Sequence, residues 1–299
     1  MNAVAAAAHR AGHIAIVGRP NVGKSTLLNT LVGQKISIVS RKAQTTRHRI
    51  TGILSRPDAQ FVFVDTPGFQ TEHGGALNRL MNRNVGRAMQ DVDAVVMVIE
   101  AGRYGARDAA VLAQISDSVP VVLAINKVDR MRDKRTLLPF LQMLAGQREF
   151  AALVPLSATT GRGTGPLLDE IAKLLPPGDA IYGEDEVTDR SERFLAAELI
   201  REKLFRQLGD ELPYGATVVI DSFQEEGDAR HIGATILVDK AGHKPILIGR
   251  AGETMKRIAS DARRGMEQLF GGKVFLEVWV KVKSGWSDDA AMLKSLGYD

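Results

Sequence analysis

The chain has 299 residues, with 39 Lys and Arg against 35 Asp and Glu, and no cysteine. That length suggests two domains, and the missing thiols exclude disulfides, cysteine nucleophiles and cysteine metal sites. No stretch approaches the roughly 20 apolar residues of a membrane span, and the alanine-rich N-terminus lacks a signal peptide's basic start, so a cytoplasmic protein is expected.

Residues 1–10 read as a disordered tail. The apolar run at 14–17 predicts a strand and residues 26–32 the helix after it. Between them stands Gly18-Arg19-Pro20-Asn21-Val22-Gly23-Lys24-Ser25, followed by Thr26. A glycine-rich turn can aim successive backbone N–H groups at phosphates, and the helix start adds its positive end. Lys24 would bridge the β- and γ-phosphates, and the Ser25 hydroxyl would take one position on Mg²⁺. Taken alone, the pattern could be a turn with a surface lysine.

Residues 40–49 are polar and basic without apolar periodicity, which suits a loop that senses the γ-phosphate. Thr46 is the chosen Mg²⁺ ligand from this loop, with Thr45 left open by spacing alone. Arg41, Lys42, Arg47 and Arg49 read equally well as a solvated face, and His48 and His73 as surface residues. A strand at 61–64 delivers Asp65-Thr66-Pro67-Gly68 at its C-terminal end, where open α/β sheets bind ligands. The Asp65 carboxylate would hold Mg²⁺ and the Gly68 N–H would reach the γ-phosphate. The candidate catalytic set is Lys24, Thr46, Asp65 and Gly68, and the metal set Ser25, Thr46 and Asp65. Phe69 stands where a glutamine often orients the attacking water, and Gln70 comes one place late, so slow intrinsic turnover is expected.

A third buried strand, 121–125, ends on Asn126-Lys127-Val128-Asp129. The Asp129 carboxylate can accept from both N1–H and the exocyclic amine of guanine; adenine offers neither donor there, and such sites discriminate by about 10⁴-fold or more. Asn126 would tie this loop to the phosphate loop, and the Lys127 stem would cover the base. Ser157-Ala158, after a strand-like 153–156, would offer a backbone N–H to guanine O6. Order and spacing make the four segments one guanine-nucleotide site for GTP and GDP.

After a helix at 167–175, the Pro176-Pro177-Gly178 cluster and acidic 184–186 mark a linker at 180–190. The expected organisation is a nucleotide domain at 11–179, a second domain at 191–286 and a tail at 287–299. Residues 1–179 hold 22 Lys and Arg against 14 Asp and Glu, whereas 180–299 hold 17 against 21. Within that acidic second half, residues 244–283 carry nine basic and four acidic residues around Gly249-Arg250-Ala251-Gly252.

The second half reads as helix 191–208, strands 216–223 and 231–238, helix 253–270 and strand 274–282. On helix 253–270 an apolar face is flanked by Lys256 and Arg263, with Arg257 outside. This is the layout of a KH module, whose G-x-x-G loop clamps about four nucleotides of single-stranded RNA. The RNA-binding candidates are Gly249, Arg250, Ala251, Gly252, Lys256, Arg257, Arg263 and Lys283. Trp286 could stack on a base, but packing of the C-terminal tail is the preferred reading. The leucine stripe of helix 194–208 fits packing on the sheet better than a membrane surface.

The phosphate loop, the 41–49 loop, residues 248–252 and residues 280–286 together resemble the Era family of bacterial ribosome-assembly GTPases over nearly the whole chain. The resemblance implies an α/β fold: a P-loop GTPase domain with a mostly parallel sheet and flanking helices, followed by a smaller α+β KH domain. It implies GTP hydrolysis coupled to maturation of the small ribosomal subunit. Its partners would be the 3′ end of small-subunit rRNA and the 30S subunit or its precursors, with some peripheral contact with the inner membrane. A monomer is expected. In similar GTPases an asparagine at the place of Asn21 helps hold K⁺. Two other readings stay open: an RNA chaperone that uses GTP only as a sensor, and a membrane-associated signalling GTPase.

Overall fold

The computed structural model describes residues 9–40, 42, 45–68, 75–209 and 212–298, the side chain of Asn84 excepted. Residues 1–8 of the expected tail, Arg41, Phe69, Gln70 and His73 lie outside the described residues. The chain divides into two compact units: Met1–Ser37, Arg49–Thr71 and Asn82–Asp189 form the first, and Ile38–His48, Glu72–Met81 and Arg190–Asp299 the second.

The first unit is built on a six-stranded sheet in the order β2-β3-β1-β4-β5-β6. Its strands are β1 (Arg10–Val17), β2 (Ile50–Ser55), β3 (Ala59–Asp65), β4 (Ala94–Glu100), β5 (Val121–Asn126) and β6 (Ala152–Pro155). Only β2 runs antiparallel to its neighbour. Strands β3 and β5 are buried along their whole length, which is why they read as unbroken apolar runs rather than alternating ones. The helices α1 (Lys24–Val32), α2 (Ala76–Ala88), α3 (Ala106–Leu112), α4 (Leu137–Ala145) and α5 (Thr164–Leu174) connect the strands. Strands β3 and β4 flank β1 on opposite sides, so the loop after β1 opens at the point where the winding reverses, the usual ligand crevice of such sheets.

Two expected boundaries shift. Strand β1 already starts at Arg10, whose N–H donates to Asp58 O at 3.2 Å, so the tail ends sooner. The expected linker at 180–190 is irregular but anchored. Gln60 Oε1 accepts from the Ile181 and Tyr182 N–H groups at 2.6 and 2.9 Å, and Val187 O accepts from Ile53 N–H at 2.9 Å.

In the second unit, β7 (Ala216–Glu226) pairs antiparallel with β8 (Ala229–Val238), which pairs parallel with β9 (Lys273–Val282). Helices α6 (Glu192–Gln207) and α8 (Glu253–Phe270) bury Leu199, Ile200, Leu204, Ile258, Ala262 and Met266 against Ile232, Ala234 and Ile236. A short α7 (His243–Ile248), which periodicity alone did not reveal, precedes the glycine turn. The expected tail at 287–299 is instead packed. Asp289 caps α9 (Ala290–Ser295), and Leu293 and Tyr298 join Trp286, Leu77 and Met81 in a small core. Trp286 is 1% exposed and donates its indole N–H to Gly215 O at 3.1 Å, so it packs rather than stacks on a ligand.

The solvated reading of the 40–49 loop also fails for two residues. Arg47 is fully buried and donates to Ala216 O (2.9 Å), Pro213 O and Tyr214 O (both 3.0 Å) beneath the Phe205 and Trp286 rings. His48 stacks on Tyr298 with ring centroids 4.4 Å apart and faces Glu198 at 3.7 Å, so it is no surface residue. A guanidinium can satisfy several backbone carbonyls at once where the chain turns, and composition cannot show that those carbonyls are waiting.

Candidate functional site

The phosphate loop follows β1 and hands the chain to α1. Gly23 takes φ 107° at the helix start, and a Cβ there would run into Asn126 Nδ2, so only glycine fits. Lys24 curls back over the loop and donates to Gly18 O at 2.9 Å and Arg19 O at 3.3 Å. Burial pulls its pKa from 10.5 to about 8; Asp65 opposes that fall and Arg19 adds to it. This ammonium is held without full compensation, which is the state a phosphate would relieve. Arg19 spends its side chain on Asp108 (3.1 Å) and Glu100 (3.8 Å), leaving its backbone as the part available to phosphates. Desolvation raises the Asp108 carboxyl, and the Arg19 ion pair works against that rise.

At the end of β3, the buried Asp65 accepts from Ser25 Oγ at 2.8 Å and Ser37 Oγ at 3.0 Å through Oδ2. Hydroxyl and carboxylate oxygens so close together suit a small hard cation that keeps phosphate and water as its other ligands. Among the described residues no group of three or more His, Cys, Asp or Glu could hold a metal by itself. Thr66 donates to Ile16 O at 2.9 Å, fixing the turn, and Gly68 lies against Pro20. Thr45 and Thr46 are both buried within the second unit. The Thr45 hydroxyl is engaged by Ser40 Oγ (2.6 Å) and Lys42 O (2.8 Å).

Asn126, at the end of β5, does more than expected. Its Nδ2 donates to Val22 O at 2.8 Å, and its Oδ1 accepts from Lys127 N at 2.7 Å and Ala158 N at 2.9 Å. One side chain thus joins the phosphate loop, the base-reading turn and the Ser157-Ala158 turn. Lys127 sits at φ 65° and donates to Asn21 O (2.7 Å) and Glu100 Oε2 (2.9 Å). The 3₁₀ turn Val128–Arg130 leaves the Asp129 carboxylate exposed. The Ala158 N–H donates to Asn126 Oδ1 and the Ser157 N–H to Arg162 O at 2.9 Å each. Glu100 and Asp108 were not anticipated. Glu100 closes an apolar strand as Asp65 and Asn126 do, and that position could have flagged it.

In the second unit the chain reverses at Gly249 (φ 76°), where a Cβ would strike Thr254, and passes Ala251 (φ 51°) and Gly252 (φ 79°) into α8. Arg250, Lys256, Arg257 and Lys283 are exposed, and Arg257 donates to Gln207 at 2.9 Å. Arg263 is less available than its position on the helix suggested, because Glu267 pairs with it at 2.7 Å.

A six-stranded mixed sheet with a phosphate loop, joined to an α-β-β-α-β unit with a G-x-x-G turn, defines a P-loop GTPase carrying a KH domain. Residues 13–127 match the family described as 50S ribosome-binding GTPase, and residues 211–287 match the KH domain. GTPase Era of Nitrosomonas eutropha is 56% identical over 296 residues, covering 99% of this chain and 100% of the relative. GTPase Era of Bordetella avium is 53% identical over 292 residues, covering 98% and 99%. Two solved structures each give a TM-score of 0.93 at 35% identity, covering 97% of this chain and 99% of theirs. One is Aquifex aeolicus Era bound to GDP and AlF4⁻; the other is Era with MgGDPNP and nucleotides 1506–1542 of 16S ribosomal RNA. The chain belongs to the GTPase Era family.

Proposed function

We propose that this GTPase is a switch that distinguishes GTP from GDP, holds the 3′ region of small-subunit rRNA and assists maturation of the small ribosomal subunit. The observation that carries this reading is the Asn126 clamp, which makes the phosphate loop and the base-reading turn one site in a chain that also has a basic helix behind a G-x-x-G turn. Likeness to an Era structure containing 16S ribosomal RNA nucleotides supports it.

Backbone N–H groups along residues 18–26 and the Lys24 ammonium hold the phosphates. Asp129 selects guanine by accepting from N1–H and the 2-amino group, and the Lys127 stem covers the base. Ser25 and Asp65 hold Mg²⁺, with Thr46 as the further protein ligand; bound there, the ion offsets charge on the phosphates. With phenylalanine at position 69, intrinsic turnover is slow, and Asn21 holds K⁺ when it is present. Turnover of Phe69→Ala within about twofold of the parent, and faster hydrolysis in potassium than in sodium buffer, would accord with these roles. The protein works as a cytoplasmic monomer on 30S precursors, with peripheral membrane contact.

Crosslinking in cells followed by sequencing of the attached RNA tests the reading. Reads should concentrate at the 3′ end of small-subunit rRNA and vanish when Arg250 and Ala251 become aspartate, a residue that tolerates the backbone of Ala251. Reads spread evenly over cellular RNA would overturn it. A Lys24→Ala protein that still supports subunit assembly would favour the chaperone that uses GTP only as a sensor.

A further inference from the structure

Helices α6 and α8 cover one face of the β7-β8-β9 sheet, packing on Ile232, Ala234 and Ile236. Alternate residues point to the opposite face. On β9 these include Phe275 and Trp279, 54% and 49% exposed, with Glu277 between them. The register sets His231 beside Phe275, Gly233 beside Glu277 and Thr235 beside Trp279. The His231 ring stacks on Phe275, with centroids 4.6 Å apart and planes 15° apart. Trp279 leans across the glycine of the neighbouring strand: a Cβ on Gly233 would lie 3.4 Å from the indole. Both rings are therefore backed by flat or aromatic neighbours while half their surface meets solvent.

Two large aromatics on an edge strand are an aggregation hazard that proteins usually remove with charged or polar residues. Here they are kept, and lysines bracket them. Lys273 and Lys281 share the parity of Phe275 and Trp279 on the strand, and Lys283 follows; all three are exposed. The acidic neighbours are partly engaged, Asp221 by Thr235 Oγ1 at 2.6 Å and Glu226 by His231 at 3.7 Å, which leaves Glu277 as the acidic residue within the row. Phe275 and Trp279, four apart on the strand, stand about 13 Å apart, so each ring has room for its own base. Sheets of RNA-recognition modules use aromatics on a strand surface in this way, and lysines would follow the backbone. The neighbours on β8 (His231, Gly233, Thr235) offer little aliphatic grip to a protein partner.

We propose that Phe275 and Trp279 form a second site for single-stranded RNA, stacking two bases on the sheet face away from the helices and apart from the Gly249–Gly252 turn. This rests on the reading of the second unit as an RNA-binding module. Trp286, the other of the two tryptophans, is buried, so fluorescence quenching by RNA reports on Trp279. With the full chain and mixed-sequence RNA probes, the 12-nucleotide probe should quench emission. The Phe275→Ala, Trp279→Ala double variant should bind it at least fivefold more weakly, while Trp279→Phe stays within twofold of the parent. A four-nucleotide probe, the length a G-x-x-G turn clamps, should bind parent and double variant equally. Unchanged affinity of the double variant for the longer probe, or binding without quenching, would overturn the site and point to a protein-docking face instead. The underlying reading fails separately: it falls if replacing Arg250 and Ala251 with aspartate leaves the four-nucleotide probe bound as before. A parent protein that binds neither probe overturns both.

Discussion

Lys24 couples the occupancy of the nucleotide site to pH. Its folded pKa of about 8 lies below the usual 10.5, so between those values the unfolded chain keeps a proton that the nucleotide-free folded protein has lost. Stability of the empty protein therefore rises with pH across that window through this group. Phosphate oxygens would restore the proton, so affinity for GDP should fall above pH 8, by at most about tenfold per unit. Titration calorimetry at pH 7 and 9 in two buffers of different ionisation enthalpy checks this. Proton uptake should appear at pH 9 and disappear in Lys24→Met, and an affinity independent of pH would count against it. Lys24, Asp65 and Asn126 could be read from the sequence because each closes or follows an apolar run in a fixed motif. The hydrogen bond from Ala158 N–H to Asn126 was not legible for the complementary reason: a backbone donor has no sequence signature, and the three-way engagement of Asn126 appears only once the loops are folded.

At the scale of elements, α6 holds an ion pair inside the second unit, with Arg201 donating to Glu198 through two nitrogens at 2.7 and 2.6 Å. Desolvation pushes the Glu198 carboxyl up, but Arg201, its hydrogen bonds and His48 bring it well below the ordinary carboxylate range on balance. That contribution is present above the unfolded carboxyl pKa near 4.5 and is lost as pH falls further. Replacing Arg201 with Met strands the carboxylate and should destabilise the protein by about 3–5 kcal/mol, whereas replacing both partners with apolar residues should recover most of the loss. Denaturant unfolding of the single and double variants decides; equal losses in both would show that packing, not charge, holds α6. The helix at 253–270 was legible to the residue because its apolar period is unbroken. Arg47, His48 and Arg201 were not, since a charged residue announces solvent until a partner at long sequence separation is known. Strand β2 escaped notice because its antiparallel pairing and mixed side chains leave neither an apolar run nor clean alternation.

At the scale of the whole molecule, the chain end is part of the second unit's packing. Removing residues 287–299 takes away Leu293 and Tyr298 and opens the cluster of Trp286, Leu77 and Met81 to water. At about 1.5–3 kcal/mol for each fully buried side chain, the loss is large for a domain of this size. Thermal unfolding of the truncated protein should show an earlier transition, and Trp286 emission should shift to the red. An unchanged melting profile would mean that the C-terminal segment is dispensable. The division of the chain also reaches back into its first third: Ile38–His48 and Glu72–Met81 belong to the second unit although their neighbours in sequence belong to the first. A gene cut after residue 189 would thus release a half-protein bearing Arg47, Leu77 and Met81 as raw surface, prone to clumping. Severing the sequence at that point would strip the second unit of two stretches of its own fabric.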